Sequence, residues 1–300
     1  EVSQLVLMGN VYVTTPCLHE LMSRDVTVSW HSFGGWFMGH TVSTGHKNVE
    51  IRTAQYKASF DPAHCLRIAK SLVIAKIQNS RTLLRMSGKA GEAPEAVVEA
   101  VKVDVEQAGR GKSLDELLGF EGNAAARYFG QFQQMIRRND EGGFDFDFNN
   151  RNRRPPTDPG RAGLSFGYSL LTRTWAVPLS GVGFDPYRGF YHQPRYGRPS
   201  LALDMMEPFR PLVVDSSVLQ VINNGEVKPS DFKSAAGSVA LNDDGRKRFI
   251  AAFERRLEHE ITHPMFGYKL SYRRLLELQA RLLARHLLGE IDDFPSFVTR

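Results

Sequence analysis

Short runs of β-branched and aromatic residues open the chain. Val2 to Leu7, Val11-Tyr12-Val13-Thr14, Val26 to Trp30 and Trp36-Phe37-Met38 predict strands within the first 57 residues. Gly34-Gly35 reads as a hairpin turn between the last two. One short helix interrupts them over Pro16–Met22, with Thr15 as N-cap and Pro16 at the first helical position. From Asp61 the apolar period becomes helical. Asp61-Pro62 starts a segment that meets no Gly or Pro before Gly88 and predicts a helix to about Met86. A second helix is expected over 92–108, and a third from Ser113 to about Arg138, with Ser113 and Glu116 as a capping box. Residues 139–163, with Gly142-Gly143 and a Phe/Asp alternation, read as irregular. Helical signals return over 160–176, 199–222, 243–260 and 271–288, and no repeat of fixed period is visible. The expected fold class is α+β: a small N-terminal β domain over 1–57 and a larger all-helical domain over 58–300. The chain has no initiator Met and enters a strand at once, which leads to the expectation that the β domain is incomplete at its start.

The third helix carries the first chemical signal. Leu114, Leu117, Leu118, Ala124, Ala125, Tyr128, Phe129 and Phe132 fall on one apolar stripe. Glu121 stands where that stripe calls for a hydrophobe. A buried, unpaired carboxylate is costly or becomes neutral, so Glu121 needs a cation: an Arg or helix-end contact, or an ion held in the helical core.

Composition narrows the classes. Hydrophobic residues make up 42% and charged residues 24% of the 300, which excludes a disordered chain. The 38 Lys and Arg exceed the 33 Asp and Glu by five, an excess that permits a polyanionic partner without demanding one. Cys17 and Cys65 cannot form a disulfide framework, and fit a reducing, cytoplasmic setting. No apolar run approaches the ~20 residues that cross a bilayer, so no membrane partner is expected.

Further candidate ligands follow in 188–211. His192 precedes a helix start at Pro199, and Asp204 and Glu207 lie three apart on one helical face. Like charges at that spacing need a cation beside them. Arg188, Arg195, Arg198 and Arg210 could supply it, which is the structural alternative. One imidazole with two or three carboxylates would instead suit Mg²⁺ or Mn²⁺ better than Zn²⁺, and arginines around such an ion suit a phosphate substrate.

These residues resemble motifs of a known family. Phe120-Glu121-Gly122-Asn123-Ala124-Ala125-Ala126-Arg127-Tyr128-Phe129 is similar to the glutamate motif of CRISPR-associated protein one, the CRISPR adaptation integrase. Gly181 to Pro186 and Gly189-Phe190-Tyr191-His192 resemble its histidine region, and Ser200 to Pro211 its acidic motif. Lys76-Ile77-Gln78-Asn79 and the tail from Gly267 to Ala284 also resemble family segments, so the likeness spans nearly the whole chain. The resemblance implies catalysis by Glu121, His192, Asp204 and Glu207. Glu121, His192 and Glu207 would ligate Mg²⁺ or Mn²⁺, and Asp204 would assist nearby. Some members carry Asp where this chain has Glu207. The implied activity is metal-dependent integration or endonucleolytic cleavage of DNA in CRISPR adaptation, in which the 3′-hydroxyl ends of short DNA fragments are joined to CRISPR repeat DNA by transesterification. The implied partners are double-stranded DNA with 3′-hydroxyl ends, CRISPR repeat DNA, a homodimer formed through the β domain, a dimer of CRISPR-associated protein two, and CRISPR-associated protein four, fused or associated.

Basic faces offer DNA contacts. Arg67, Lys70, Arg81 and Arg85 share one narrow face of the helix that starts at Asp61, to be read as phosphate tracking or as a solvated face. Arg195, Arg198 and Arg210 join them as candidates, and Arg151 to Arg154 read either as a DNA-reaching arm or as a soluble loop. The basic stretches 246–256 and 269–285 read as solvated faces. His259-Glu260-Ile261-Thr262-His263 matches the zinc-protease signature, but Pro264 disfavours the required helix. Gly111-Lys112-Ser113 lacks the glycine and strand of a phosphate-binding loop. His31, His40 and His46 are expected at the surface, and Cys65 as a buried thiol. The rival class is a non-catalytic nucleic-acid-binding structural subunit whose acidic cluster only pairs with arginines.

Overall fold

The computed structural model describes residues 2, 4–24, 26–32, 37–41, 43, 48–86, 95–136, 158–235 and 237–299. Strand β1 (Gln4–Met8) pairs in parallel with β2 (Thr27–His31), which pairs antiparallel with β3 (Phe37–Thr41). A parallel pair requires a crossover, and helix α1 (Thr15–Ser23) supplies it. Its cap is Thr14, one residue earlier than expected, accepting from the Cys17 N–H at 3.4 Å. The run Val11–Thr14 is not a strand, and Tyr12 is fully exposed. His31 is buried on β2, against the expectation for it, whereas His40 is exposed. The Gly34-Gly35 turn, His46, the break at 88–94 and the 139–157 stretch with its Arg151–Arg154 arm lie outside the described residues.

Residues 49–57, expected within the β-rich stretch, belong to helix α2 (Val49–Ser59), capped by the Asn48 side chain. Helix α3 (Pro62–Met86) follows as read from the sequence. It packs on α2, on α4 (Glu95–Arg110) and on α5 (Leu114–Gly130). Ser113 caps α5 as expected, accepting from the Glu116 N–H at 3.2 Å, but the Glu116 carboxylate turns to the Lys112 N–H. The capping box is therefore half formed. Helix α5 ends eight residues before the expected Arg138, in a 3₁₀ turn over Phe132–Met135.

Helix α6 (Pro159–Val182) starts at an Asp158 cap and stops at Gly183, whose φ of 112° is left-handed. The single helix expected over 199–222 is three pieces: α7 (Ser200–Met206), a π-helical stretch over Arg210–Asp215, and α8 (Ser216–Asn223). Hairpin β4 (Phe232–Ala235)–β5 (Ser238–Leu241) precedes α9 (Asp243–Glu258). Hairpin β6 (Glu260–Thr262)–β7 (Lys269–Ser271) precedes α10 (Tyr272–Leu287). Residues 260–262 are thus strand, and the protease signature never lies on one helix.

The core runs between α3, α6, α7, α9 and α10, where Trp175, Phe190, Phe209, Phe249 and Phe253 are fully buried. At Gly167 of α6 an added Cβ would meet Val214 at 2.5 Å, so α6 and the π-helical stretch approach closer than any side chain there would allow. Among the described residues no helix is long and apolar enough to cross a membrane.

Candidate metal centre

Helix α3 is amphipathic, and its buried face points at the site. At about 100° per residue, Lys76 lies near 180° from Arg67, in the middle of the arc holding Leu72, Val73, Asn79 and Ser80. A lysine on that face needs anions, and two glutamates meet it. Lys76 Nζ donates to Glu121 Oε1 of α5, and lies 2.7 Å from Glu207 Oε2 just beyond α7. The two carboxylates are therefore within two hydrogen-bond lengths of each other. Glu207 Oε2 is buried beside the ammonium without the alignment of a hydrogen bond.

The histidine is set by Asp204, which is fully buried in α7. Asp204 Oδ2 accepts from the backbone N–H of Phe190 at 2.6 Å and of Tyr191 at 3.0 Å. Its Oδ1 lies 2.8 Å from the His192 N–H and 2.7 Å from His192 Nδ1. An ionised carboxylate only accepts, so the imidazole carries a proton on Nδ1, and in its neutral form it leaves the Nε2 lone pair free. That Nε2 faces Glu207 Oε1 at 3.8 Å. The close approach needs Gly189, because a Cβ there would stand 2.7 Å from Asp204 Oδ2 and 2.8 Å from the Ser200 carbonyl carbon. Gln55 of α2, wholly buried, ties down the preceding loop. It donates to the carbonyls of Asp185 (2.8 Å) and Arg188 (2.7 Å) and accepts from the Asp185 N–H.

A surrounding set holds these groups in place. The Tyr191 hydroxyl donates to Glu121 Oε2. Arg210 lies 3.4 Å from Glu207 Oε1 and stacks 4.4 Å over the Tyr168 ring. Tyr168 and Tyr128 both donate to Asp215, at 2.6 and 2.9 Å. Asn79, also buried, donates to the carbonyl of Pro208, next to Glu207, and to that of Phe297, and accepts from the Thr299 N–H. The C-terminal segment is thereby fastened to the site.

Charge follows from these contacts. Burial alone would raise the Glu121 carboxyl, but Lys76, Tyr191 and Arg210 outweigh it and hold the group at about 2. Burial works against the Lys76 ammonium, and Glu121 and Glu207 reverse that, raising its pKa. Tyr191 is pushed up by burial and by Glu121. Burial raises Asp215 to about 6, against its two phenol hydrogen bonds and nearby Arg210.

All four expected site residues converge here, with unlike surroundings. Lys76 links Glu121 to Glu207, Glu207 faces His192, and Asp204 is saturated by the His192 loop. Among the described residues no three His, Cys, Asp or Glu side chains stand ready around an ion, and the Lys76 ammonium contacts both glutamates. The donor types nevertheless fit a hard divalent cation: two carboxylates, one of them with a buried oxygen that has no hydrogen bond, and an imidazole nitrogen facing it.

The expected DNA contacts divide. Arg195 is exposed and Arg198 half-buried, both on the segment after His192, and Arg210 belongs to the site. Arg67, Lys70, Arg81 and Arg85 occupy the face of α3 opposite Lys76, and Arg81 donates to the Val98 carbonyl at 3.1 Å. In the other basic stretches Arg248, Arg255, Arg273, Arg281 and Arg285 pair with carboxylates. Sequence reading gave no site role to Lys76, Asp215, Tyr128 or Tyr168. Lys76 was findable, since it alone among the cations of its helix falls on the apolar face.

Comparison with known proteins places this geometry in context. The model of the family described as CRISPR associated protein Cas1 matches residues 1–255. A "CRISPR-associated exonuclease Cas4/endonuclease Cas1 fusion" of Geobacter sulfurreducens is 58% identical over 304 residues, covering 100% of this chain and 54% of the relative. The chain thus spans about half the length of that relative. A solved "Casposase bound to integration product" superposes with TM-score 0.76 at 25% identity, over 98% of this chain and 86% of the other. A "Partial Cas6-RT-Cas1--Cas2 complex" superposes with TM-score 0.78 at 25% identity, over 99% and 88%.

Proposed function

The chain belongs to the CRISPR associated protein Cas1 family, and from that premise we propose that it is a divalent-metal-dependent DNA integrase and endonuclease of CRISPR adaptation. Its reaction is phosphodiester transesterification: the 3′-hydroxyl of a short DNA fragment attacks a phosphodiester of the CRISPR repeat, so that one P–O bond forms as another breaks. With water in place of the hydroxyl, the same groups hydrolyse DNA. The single observation that carries this reading is the placement of His192, whose Nδ1 is held by Asp204 and whose Nε2 faces Glu207, itself joined to Glu121 through Lys76.

Glu121, His192 and Glu207 would hold Mg²⁺ or Mn²⁺. When bound, the ion polarises the phosphate and favours ionisation of the attacking hydroxyl. The chain's own residues do the positioning. Asp204 keeps the imidazole in the ligating tautomer, Arg210 steadies Glu207, and Tyr191 orients Glu121. Arg195 and Arg198, next in sequence to His192, receive the phosphates of the incoming DNA. Arg67, Lys70, Arg81 and Arg85 contact phosphates farther away, across α3.

The casposase neighbour's integration product supports DNA joining as the reaction. The fusion relative supports association with Cas4, and the complex neighbour supports association with Cas2. Homodimerisation through the β domain and a cytoplasmic location complete the reading. A strand-transfer assay with labelled 3′-hydroxyl DNA and a supercoiled repeat plasmid tests it, with Cas2 present. Glu121→Ala should abolish joining and leave DNA binding largely intact, and normal joining by that variant would overturn the assignment. The Lys76 contacts are also what a non-catalytic binding subunit would use. A Mn²⁺ thermal shift that disappears in His192→Ala favours the enzyme, and the absence of any shift favours the binder.

A further inference from the structure

Lys76 bridges the two carboxylates that the proposed function assigns to a divalent ion. Its ammonium contacts both Glu121 and Glu207, and its side chain is only 13% exposed. Ammonium and ion compete for the same carboxylate oxygens, and like charges so close repel. Beside Lys76 lies a small cavity of about 30 Å³, lined among others by Lys76, Ser80, Tyr128, Tyr168 and Asp215. Asp215 is 1% exposed and accepts one hydrogen bond from each phenol. A carboxylate has about four lone-pair sites, so Asp215 can accept more. The lysine stem is long and flexible enough to change partners.

We propose that Lys76 is a displaceable stand-in cation, which holds Glu121 and Glu207 together until a divalent ion binds and then swings across the small cavity to pair with Asp215. The idea depends on reading Glu121, His192 and Glu207 as ion ligands. In the ion-bound form the two glutamates offset the divalent ion and Asp215 offsets Lys76, while Arg210 stays beside Glu207 in both forms. In the ion-free form Lys76 keeps two buried carboxylates from facing each other unscreened, so the site is preformed.

Calorimetric titration of the full chain with Mn²⁺ tests this, using the wild type, Lys76→Met, Asp215→Asn and the double variant. Lys76→Met should bind Mn²⁺ about tenfold more tightly, because the competitor is gone; a tenfold change corresponds to about 1.4 kcal/mol. Asp215→Asn should bind about tenfold more weakly in the wild-type background, and should change affinity less than about twofold when Lys76 is already Met. Unchanged affinity in Asp215→Asn, or the same loss in both backgrounds, overturns the displacement. Should Lys76→Met fail to fold, Asp215→Asn still decides, because it keeps both the lysine and its glutamate pair. Wild-type binding that is absent, or unaffected by His192→Ala, brings down the ligand reading and the displacement together. Binding that depends on His192 but ignores Asp215→Asn brings down the displacement alone.

Discussion

Burial alone would neutralise Glu121, yet Lys76, Tyr191 and Arg210 keep it ionised with a pKa of about 2. A carboxyl depressed in the folded state lends stability that is complete above its unfolded value of about 4.5 and is lost as pH falls toward 2. Denaturant unfolding of the wild type and Glu121→Gln should therefore differ by a gap that shrinks on acidification across that window. A gap constant from pH 6 to pH 2.5 would mean that Glu121 is not held by charge. Asp204 makes a different demand, because three backbone N–H groups and an imidazole converge on it. Asp204→Ala orphans those buried donors and should cost roughly 3–5 kcal/mol in urea unfolding, whereas a loss below about 1 kcal/mol would contradict the geometry.

Loops and helix ends, rather than helix interiors, decide where the donors sit. Gly189→Ala would drive a methyl group into Asp204 and the Ser200 backbone. It should destabilise the protein by about 1–3 kcal/mol and weaken the Mn²⁺ thermal shift; an unchanged shift and melting temperature would show that the loop has slack. Helices were legible wherever one face is apolar, as in α3, and caps such as Ser113 located their starts. Helix α2 was not legible, because its buried stripe of Ile51, Gln55 and Ala58 has a glutamine at its centre. That glutamine is committed to the Asp185–Arg188 loop, a long-range role no local pattern displays. The hairpins β4–β5 and β6–β7 escaped because strands of three or four residues carry too little alternation. Val11–Thr14 misled for the opposite reason: β-branched residues favour a strand, but among the described residues no neighbouring strand pairs with them. The clash of Glu121 with its stripe was visible in the sequence; its partner Lys76 became visible only with the helical angle of α3.

At the scale of the molecule, charge is distributed unevenly around the centre. Most arginines of α9 and α10 are engaged with carboxylates, while Arg195 lies exposed next to the His192 loop. Replacing Arg195 and Arg198 together by Ala should weaken DNA binding and flatten the slope of log affinity against log salt by about 2. An unchanged slope would remove them from the DNA path. The most direct measurement of the central claim is anomalous diffraction from crystals of this chain grown with Mn²⁺. One peak is expected within about 2.2 Å of oxygens of Glu121 and Glu207 and of His192 Nε2, with the Lys76 ammonium moved away. A peak elsewhere, or no peak while Lys76 stays between the two glutamates at saturating Mn²⁺, would contradict it.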